Sequence, residues 1–166
     1  MREATGTRPT YLWDLAEAFL VHCPQCDEMG VVQARSENRL VAARLTCSSC
    51  GYARAWRPTA VGVVCHPGHH EFPEGVVVVG KGVDWYFHAP LWLETSCCGE
   101  RLWAYNVSHL RWLRRYIAAS LRPAARSEEG WANRSLGSRL PRWMKLAKNR
   151  DAVLRALGTL EARLMR

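Results

Sequence analysis

Two pairs of cysteines place the strongest constraint on what this chain can fold into. Cys23 and Cys26 enclose Pro-Gln, Cys47 and Cys50 enclose Ser-Ser, and 20 residues separate the two pairs. Each Cys-x2-Cys turn can direct two thiolates at one ion, about 2.3 Å from zinc, with backbone N–H groups facing the sulfurs. This spacing falls in a recognised class of zinc sites. We therefore predict that these four cysteines bind one structural zinc ion.

Two other uses of the four thiols compete with zinc. A Cys-Pro-x-Cys turn can be a redox motif, but a redox fold does not require a second pair at this distance. Disulfides form in oxidising compartments. The N-terminal run has the features of neither a signal peptide nor a membrane span, so we expect a cytoplasmic protein with reduced thiols and no membrane partner.

The segment around the cysteines resembles the zinc ribbon superfamily, whose rubredoxin-like knuckles occur in transcription factor IIB and in RNA polymerase subunits. The matching residues are CPQC at 23–26, CSSCG at 47–51 and the β-prone runs between and after them. Three further phrases, PLWLETSCCG, LWAYNVSHL and LPRWMKLAKNRD, are similar to those of uncharacterised bacterial proteins with a ribbon of the transcription factor IIB type. The resemblance implies a ribbon fold but no activity and no catalytic residue.

The hydrophobic period changes along the chain. Residues 10–21 have helical spacing with Thr10 as N-cap, and 29–56 alternate short β-prone runs with polar turns. A small mixed β layer is expected to continue to residue 92. Helical spacing returns in three segments, 107–122 ended by Pro123, 141–148 with Pro141 in the first turn, and 150–165 capped by Asn149.

These patterns predict an α+β fold with an N-terminal helix, a small antiparallel zinc ribbon with additional β strands, and a basic helical C-terminal part. The predicted boundaries are 1–60 for the helix and ribbon, 61–106 for a β-rich extension packed on the ribbon, and 107–166 for the basic helical region.

The net charge of +8 is unevenly distributed. Residues 1–100 contain 8 lysines and arginines against 11 acidic residues, whereas residues 101–166 contain 15 against 4. Such asymmetry favours a polyanionic partner, although a solvated arginine-rich surface explains it more simply. The predicted nucleic-acid-binding residues are Arg111, Arg114, Arg115, Arg122, Arg139, Arg142, Lys145, Lys148 and Arg150. The last two helices also have the outline of a helix-turn-helix.

A second group of metal-binding side chains is present outside the two pairs. Its members are Cys65, His69, His70, Cys97 and Cys98. Their spacing matches no established class, and buried cysteines with exposed turn histidines explain them better than a second metal site does. A reactive thiol at Cys97 or Cys98 is a further alternative.

Four thiolate ligands leave zinc no open coordination position, so the predicted site can fold a module but cannot activate water. The chain also lacks the usual motifs of nucleophilic, phosphate-binding, dinucleotide-binding and zinc-protease sites. We therefore expect a non-enzymatic protein that binds DNA or RNA through its cationic helices, within a transcription or defence assembly. The alternatives are an adaptor that docks an acidic protein through its Trp-rich and C-terminal surfaces, and a metal-dependent enzyme using Cys65, His69 and Cys97.

Overall fold

The computed structural model describes residues 11–35, 37–59, 63–64, 74–119 and 136–165. The strands are β1 (Ala18–His22), β2 (Met29–Ala34), β3 (Ala43–Cys47), β4 (Ala53–Trp56), β5 (Val63–Val64), β6 (Val77–Val78), β7 (Leu93–Cys97) and β8 (Glu100–Ala104). The helices are α1 (Leu12–Leu15), α2 (Val107–Ala118), α3 (Leu136–Arg139), α4 (Arg142–Lys145) and α5 (Arg150–Arg163), with a 3-10 turn at Ala147–Asn149. The predicted α+β class is confirmed.

A four-stranded antiparallel sheet in the order β1-β2-β3-β4 forms the N-terminal half of the described chain. Its strands alternate between the core and solvent, as in β3, where Leu45 is buried and its neighbours Arg44 and Thr46 are exposed. That alternation sets the register, because a slip by one residue would turn every apolar side chain towards water. The other strands form two two-stranded sheets, in which β5 pairs parallel with β6 and β7 pairs antiparallel with β8.

The predicted helix over residues 10–21 is wrong for most of its length. Helix α1 covers only Leu12–Leu15, and β1 begins at Ala18 and pairs with β2 along its whole length. Phe19 and Val21 are fully buried while Leu20 is half-buried, so burial alternates with the period of two that is typical of a strand. The same apolar residues also fit the helical spacing. Pairing across the sheet outweighs the local preference for helix, since propensity is a weak signal beside tertiary contacts. Thr10, the predicted cap, lies outside the described residues.

An aromatic core lies between the four-stranded sheet and the loop that precedes β7. Trp85, Tyr86 and Tyr105 are buried, and all three contact the ring of Phe19. The chain before β7 also lies along the free edge of β1, where the backbone N–H of Trp92 donates to the carbonyl of Leu20 at 2.9 Å. The β1 edge of the sheet is therefore covered.

A second core joins the β7–β8 hairpin to α2 and α5. Leu113 of α2 and Leu157 of α5 are buried in it together with Leu102 of β8. The helices predicted for 107–122 and 150–165 are present as α2 and α5, and the segment 141–148 forms α4 and the 3-10 turn. Asn149 occupies the N-cap position of α5 but makes no side-chain capping hydrogen bond, and its amide NH2 donates to the carbonyl of Trp143. Within the described ranges, every helix is too short or too polar to cross a membrane.

Candidate metal centre

The sheet order explains why the two cysteine pairs meet. The first pair lies in the turn between β1 and β2. The second pair begins at Cys47, the last residue of β3, and ends at Cys50 in the turn that leads to β4. Strands β2 and β3 are neighbours, with Gly30 opposite Cys47, so both turns lie at the same end of the sheet. The 20 residues between the pairs run down one strand and back along the next.

The two turns share one backbone design. In the first, the N–H of Asp27 donates to the carbonyl of Cys23 at 2.9 Å, and in the second Gly51 donates to Cys47 at 3.0 Å. Both donors have positive φ, 63° at Asp27 and 75° at Gly51. The N–H of each turn's first cysteine bonds the carbonyl five residues later, at 2.8 Å in both turns. The two pairs are therefore held by matching knuckles.

Each of the four sulfurs is close to the backbone N–H two residues further along the chain. The Sγ of Cys23 accepts the N–H of Gln25 at 3.4 Å. The corresponding donors to Cys26, Cys47 and Cys50 are the N–H groups of Glu28, Ser49 and Tyr52. Four N–H dipoles therefore stabilise negative charge on the sulfurs, as thiolate ligands of a cation require.

The sulfur positions match a tetrahedral centre. All four Sγ atoms lie within 4.8 Å of one another, and the Cys23–Cys50 and Cys26–Cys47 separations are both 3.7 Å. Ligands about 2.3 Å from a central zinc stand about 3.8 Å apart. A disulfide would hold two sulfurs about 2.05 Å apart, and all four cysteines are free. The cluster can hold a metal ion, as the spacing predicted.

The four thiols differ in acidity. Backbone N–H groups of Cys50 and Ser49 lower the pKa of the Cys47 thiol to about 6. At Cys26 the N–H of Glu28 acts in the same direction, but burial and the neighbouring thiols outweigh it and raise the pKa to about 12. The Cys47 thiol therefore loses its proton most readily. Its negative charge then disfavours deprotonation of the neighbouring thiols, because like charges repel. A divalent cation removes that repulsion.

The second predicted metal group is only partly described. Cys97 is the last residue of β7 and Cys98 is the first residue of the tight turn to β8, with their Sγ atoms 3.7 Å apart. Burial raises the pKa of the Cys97 thiol to about 11, while Cys98 is exposed at a positive φ of 56°. No third ligand joins them within the described ranges. Cys65, His69 and His70 lie outside those ranges.

The predicted cationic residues fall into two groups around α2. Arg111, Arg114 and Arg115 occupy one exposed face of that helix, and Arg114 forms an ion pair with Glu161 of α5. Lys145 and Arg150 line a small depression beside Ile117 of the same helix. Arg142 and Lys148 are exposed, Arg139 borders a different pocket, and Arg122 lies outside the described residues.

A cleft beside the cysteine cluster was not foreseen from the sequence. It has a volume of about 520 Å³ and is lined by His22, Tyr52, Arg54 and Phe87 among others. The Arg54 guanidinium lies 5.7 Å from the centre of the Phe87 ring, and His22 Nδ1 lies 3.0 Å from a carboxylate oxygen of Asp27. No motif marks these residues, which come from three separate parts of the chain.

No protein family, curated protein or solved structure matches this chain in any of the three comparisons. The assignment of a function therefore depends on the cysteine cluster and on the surfaces around it.

Proposed function

We propose that the protein is a zinc-ribbon-type binding protein that holds one zinc ion at Cys23, Cys26, Cys47 and Cys50 and binds nucleic acid through α2 and the segment around α4. The observation that carries this proposal is the pair of matching knuckles, each with its sulfurs turned towards backbone N–H groups. Four protein thiolates support a structural role, because they leave no coordination position for a substrate or water.

Zinc is the best chemical fit to the four sulfurs. Soft thiolates in a tetrahedral S4 arrangement select zinc or iron, whereas magnesium and calcium prefer oxygen ligands. We expect native mass spectrometry of the purified chain to show one zinc ion per molecule. Cys47→Ser should lose it, whereas the matched change Cys98→Ser, at an exposed thiol outside the cluster, should retain it. Retention of zinc by Cys47→Ser would contradict this assignment.

The nucleic-acid proposal is supported by the exposed face of α2. Arg111 and Arg115 are one helical turn apart and point away from the second core, whose residues on α2 include Leu110 and Leu113. Arginine forks match phosphate oxygens, and binding to phosphates releases counterions. Arg114 supports this face differently, since its ion pair with Glu161 ties α2 to α5.

Fluorescence anisotropy tests this surface directly. Labelled duplex DNA, single-stranded DNA and RNA are titrated with the zinc-bound protein at several salt concentrations. Arg111→Gln with Arg115→Gln should weaken binding and lower the salt slope by about 2, roughly one for each arginine that no longer binds a phosphate. The control carries Arg44→Gln and Arg57→Gln, which remove the same charge from exposed positions in the N-terminal half. Equal weakening in both variants would leave net charge as the sole cause and reject a specific α2 surface.

A protein partner is the second candidate, and one observation favours it. Trp112 and Tyr116 of α2 are only half-buried and stack with ring centres 4.9 Å apart, next to the arginine face. Aromatic residues beside arginine are typical of the centres of protein interfaces. If no nucleic acid binds at low salt, an acidic protein becomes the preferred partner of this surface.

A further inference from the structure

A pocket between the β7–β8 hairpin and the C-terminal helices lies apart from the cysteine cluster and from the arginine face of α2, although Arg139 on its rim is also one of the predicted nucleic-acid-binding residues. Its volume is about 330 Å³, at the lower end of the range for small-molecule sites. The walls come from β8, α2, α3 and α4, and they are mainly apolar. The principal apolar side chains are Trp103, Leu113, Leu136, Leu140 and Met144.

One polar side chain in this pocket is almost completely buried. His109 lines the pocket with 2% of its surface exposed. Its Nδ1 accepts the backbone N–H of Tyr105 at 3.2 Å, so the neutral ring carries its proton on Nε2. Nothing in the described part of the chain accepts a hydrogen bond from that Nε2–H. The polar side-chain atoms of the described residues that are fully enclosed without a partner are Trp56 Nε1 and the Tyr86 hydroxyl, and the Nε2 of His109 is not one of them. The Nε2–H can therefore donate to an acceptor that enters the pocket.

The charge at the pocket is positive. Arg101 and Arg139 both line it, and Arg101 is already paired with Glu94 through two hydrogen bonds of 2.8 and 2.5 Å. Among the described residues, none forms an ion pair with Arg139. As far as the described residues form it, the pocket therefore presents one guanidinium without an ion pair and one neutral N–H donor beside an apolar floor.

We propose that this pocket binds a small apolar molecule carrying a single carboxylate. The apolar body lies against Trp103 and Met144, and the carboxylate accepts hydrogen bonds from Arg139 and from the Nε2–H of His109. A neutral molecule of the same shape satisfies the apolar walls but leaves Arg139 without a counter-charge, and an amine places like charges together. The carboxylate is therefore the feature that the pocket selects. The inference is independent of the proposed zinc and nucleic-acid functions.

Calorimetry with the full zinc-bound chain tests the proposal, using octanoate and 1-naphthoate as acidic probes. Octanol and octylamine serve as neutral and cationic controls. We expect saturable binding of at least one carboxylate, with octanol about tenfold weaker, since a charge-assisted hydrogen bond contributes roughly that factor. Equal binding of octanoate and octanol would overturn the proposal, as would the absence of saturable binding by both carboxylates.

Two variants assign the ligand's hydrogen bonds. Arg139→Gln removes an exposed charge without disturbing a core and should weaken carboxylate binding about tenfold, while the nearby exposed Arg142→Gln should leave it unchanged. His109→Asn can keep an acceptor for the N–H of Tyr105 and removes the Nε2–H, so it should also weaken carboxylates more than octanol. In the wild type, the NMR signal of the His109 Nε2–H should shift on binding. A signal unmoved by a saturating carboxylate would show that the ligand lies elsewhere.

Discussion

Single buried polar residues hold the loops of this molecule. Asp84 is fully buried, and its carboxylate accepts the backbone N–H groups of Tyr86, Phe87 and Ala89 at 2.7–2.9 Å. These bonds close the loop that carries Trp85 into the aromatic core. One carboxylate thereby satisfies three donors that would otherwise lack partners.

Removing this carboxylate should destabilise the protein strongly. We expect Asp84→Ala to lower the free energy of unfolding by about 3 kcal/mol or more, because each buried donor left unpaired costs roughly 1–3 kcal/mol. Asp84→Asn should cost less, since its oxygen can still serve Tyr86 and Phe87 while its NH2 faces the N–H of Ala89. Urea unfolding followed by tryptophan fluorescence measures both. Equal stability of Asp84→Ala and the wild type would contradict the role of Asp84.

His109 should make stability depend on pH. Burial lowers the pKa of His109 from 6.5 to about 4 in the folded protein, so between these values the unfolded chain binds the proton more readily. Stability should therefore fall as the pH falls from 6.5 to 4, by about 3 kcal/mol in all. Burial raises the pKa of Asp84, which acts in the opposite sense. The difference between wild type and His109→Asn in urea unfolding isolates the histidine, and parallel pH profiles would refute its contribution.

At the scale of elements, the two knuckles need one left-handed residue each. Gly51 takes φ +75° in open space, with no atom within 4 Å of an added Cβ, so Gly51→Ala tests backbone conformation alone. We expect a loss of about 1–2 kcal/mol when the proposed metal is bound, measured by urea unfolding. Asp27 occupies the equivalent position at φ 63° and its carboxylate contacts His22, so the reciprocal control compares Asp27→Gly with Asp27→Ala, which lacks the same carboxylate. A neutral Gly51→Ala would show that the turn does not require this conformation.

The start of α2 is joined to the start of β1 by one side chain. The Asn106 oxygen accepts the N–H of His109 at 2.9 Å as the N-cap, and its amide donates to the carbonyls of Leu15 and Ala18 at 2.6 and 2.7 Å. This residue therefore connects two elements 88 residues apart in the chain.

Replacement of Asn106 by aspartate separates its two roles. Aspartate keeps the cap and suits a helix N-terminus, so capping alone predicts a neutral or stabilising change. We instead expect Asn106→Asp to lower the free energy of unfolding by at least about 2 kcal/mol, because the carboxylate faces two carbonyl oxygens and has no proton to donate. Thermal unfolding by circular dichroism measures the change. Stability equal to wild type would show that the link to β1 is dispensable.

At the scale of the whole molecule, the two cores should respond differently to loss of the proposed metal. The cysteine cluster anchors one end of the four-stranded sheet, whereas Leu113 and Leu157 belong to the core formed with the β7–β8 hairpin. Chelation should therefore accelerate hydrogen exchange at Asp27 and Gly51, the knuckle donors, far more than in α5. Exchange mass spectrometry with and without chelator measures this, and uniform acceleration would show that the molecule opens as one unit.

Much of the architecture could be anticipated from local pattern. The Cys-x2-Cys spacing predicted a four-sulfur cluster, and the apolar stripe of Val153, Leu157 and Leu160 predicted a buried helix face. The helix predicted over 10–21 was wrong because β1 carries both periods, and only the hydrogen bonds to β2 select the strand. Asn149 is at the predicted N-cap position, but its side chain makes no capping hydrogen bond and its amide NH2 donates to the carbonyl of Trp143.

The sequence by itself determined the chemistry of this protein, since residue types and spacings specify four soft ligands, the α+β class and a C-terminal excess of arginine. Only the tertiary structure decided where these residues lie and which of them meet. It gave Asp27 a left-handed conformation, which the sequence would have indicated only if a glycine stood there. It also brought His109 of α2, Trp103 and Arg139 to the lining of one pocket. The physical reason is the sequence distance over which each effect acts. Periodicity and ligand spacing are local features of the sequence, whereas a pocket forms where elements distant in the sequence pack together.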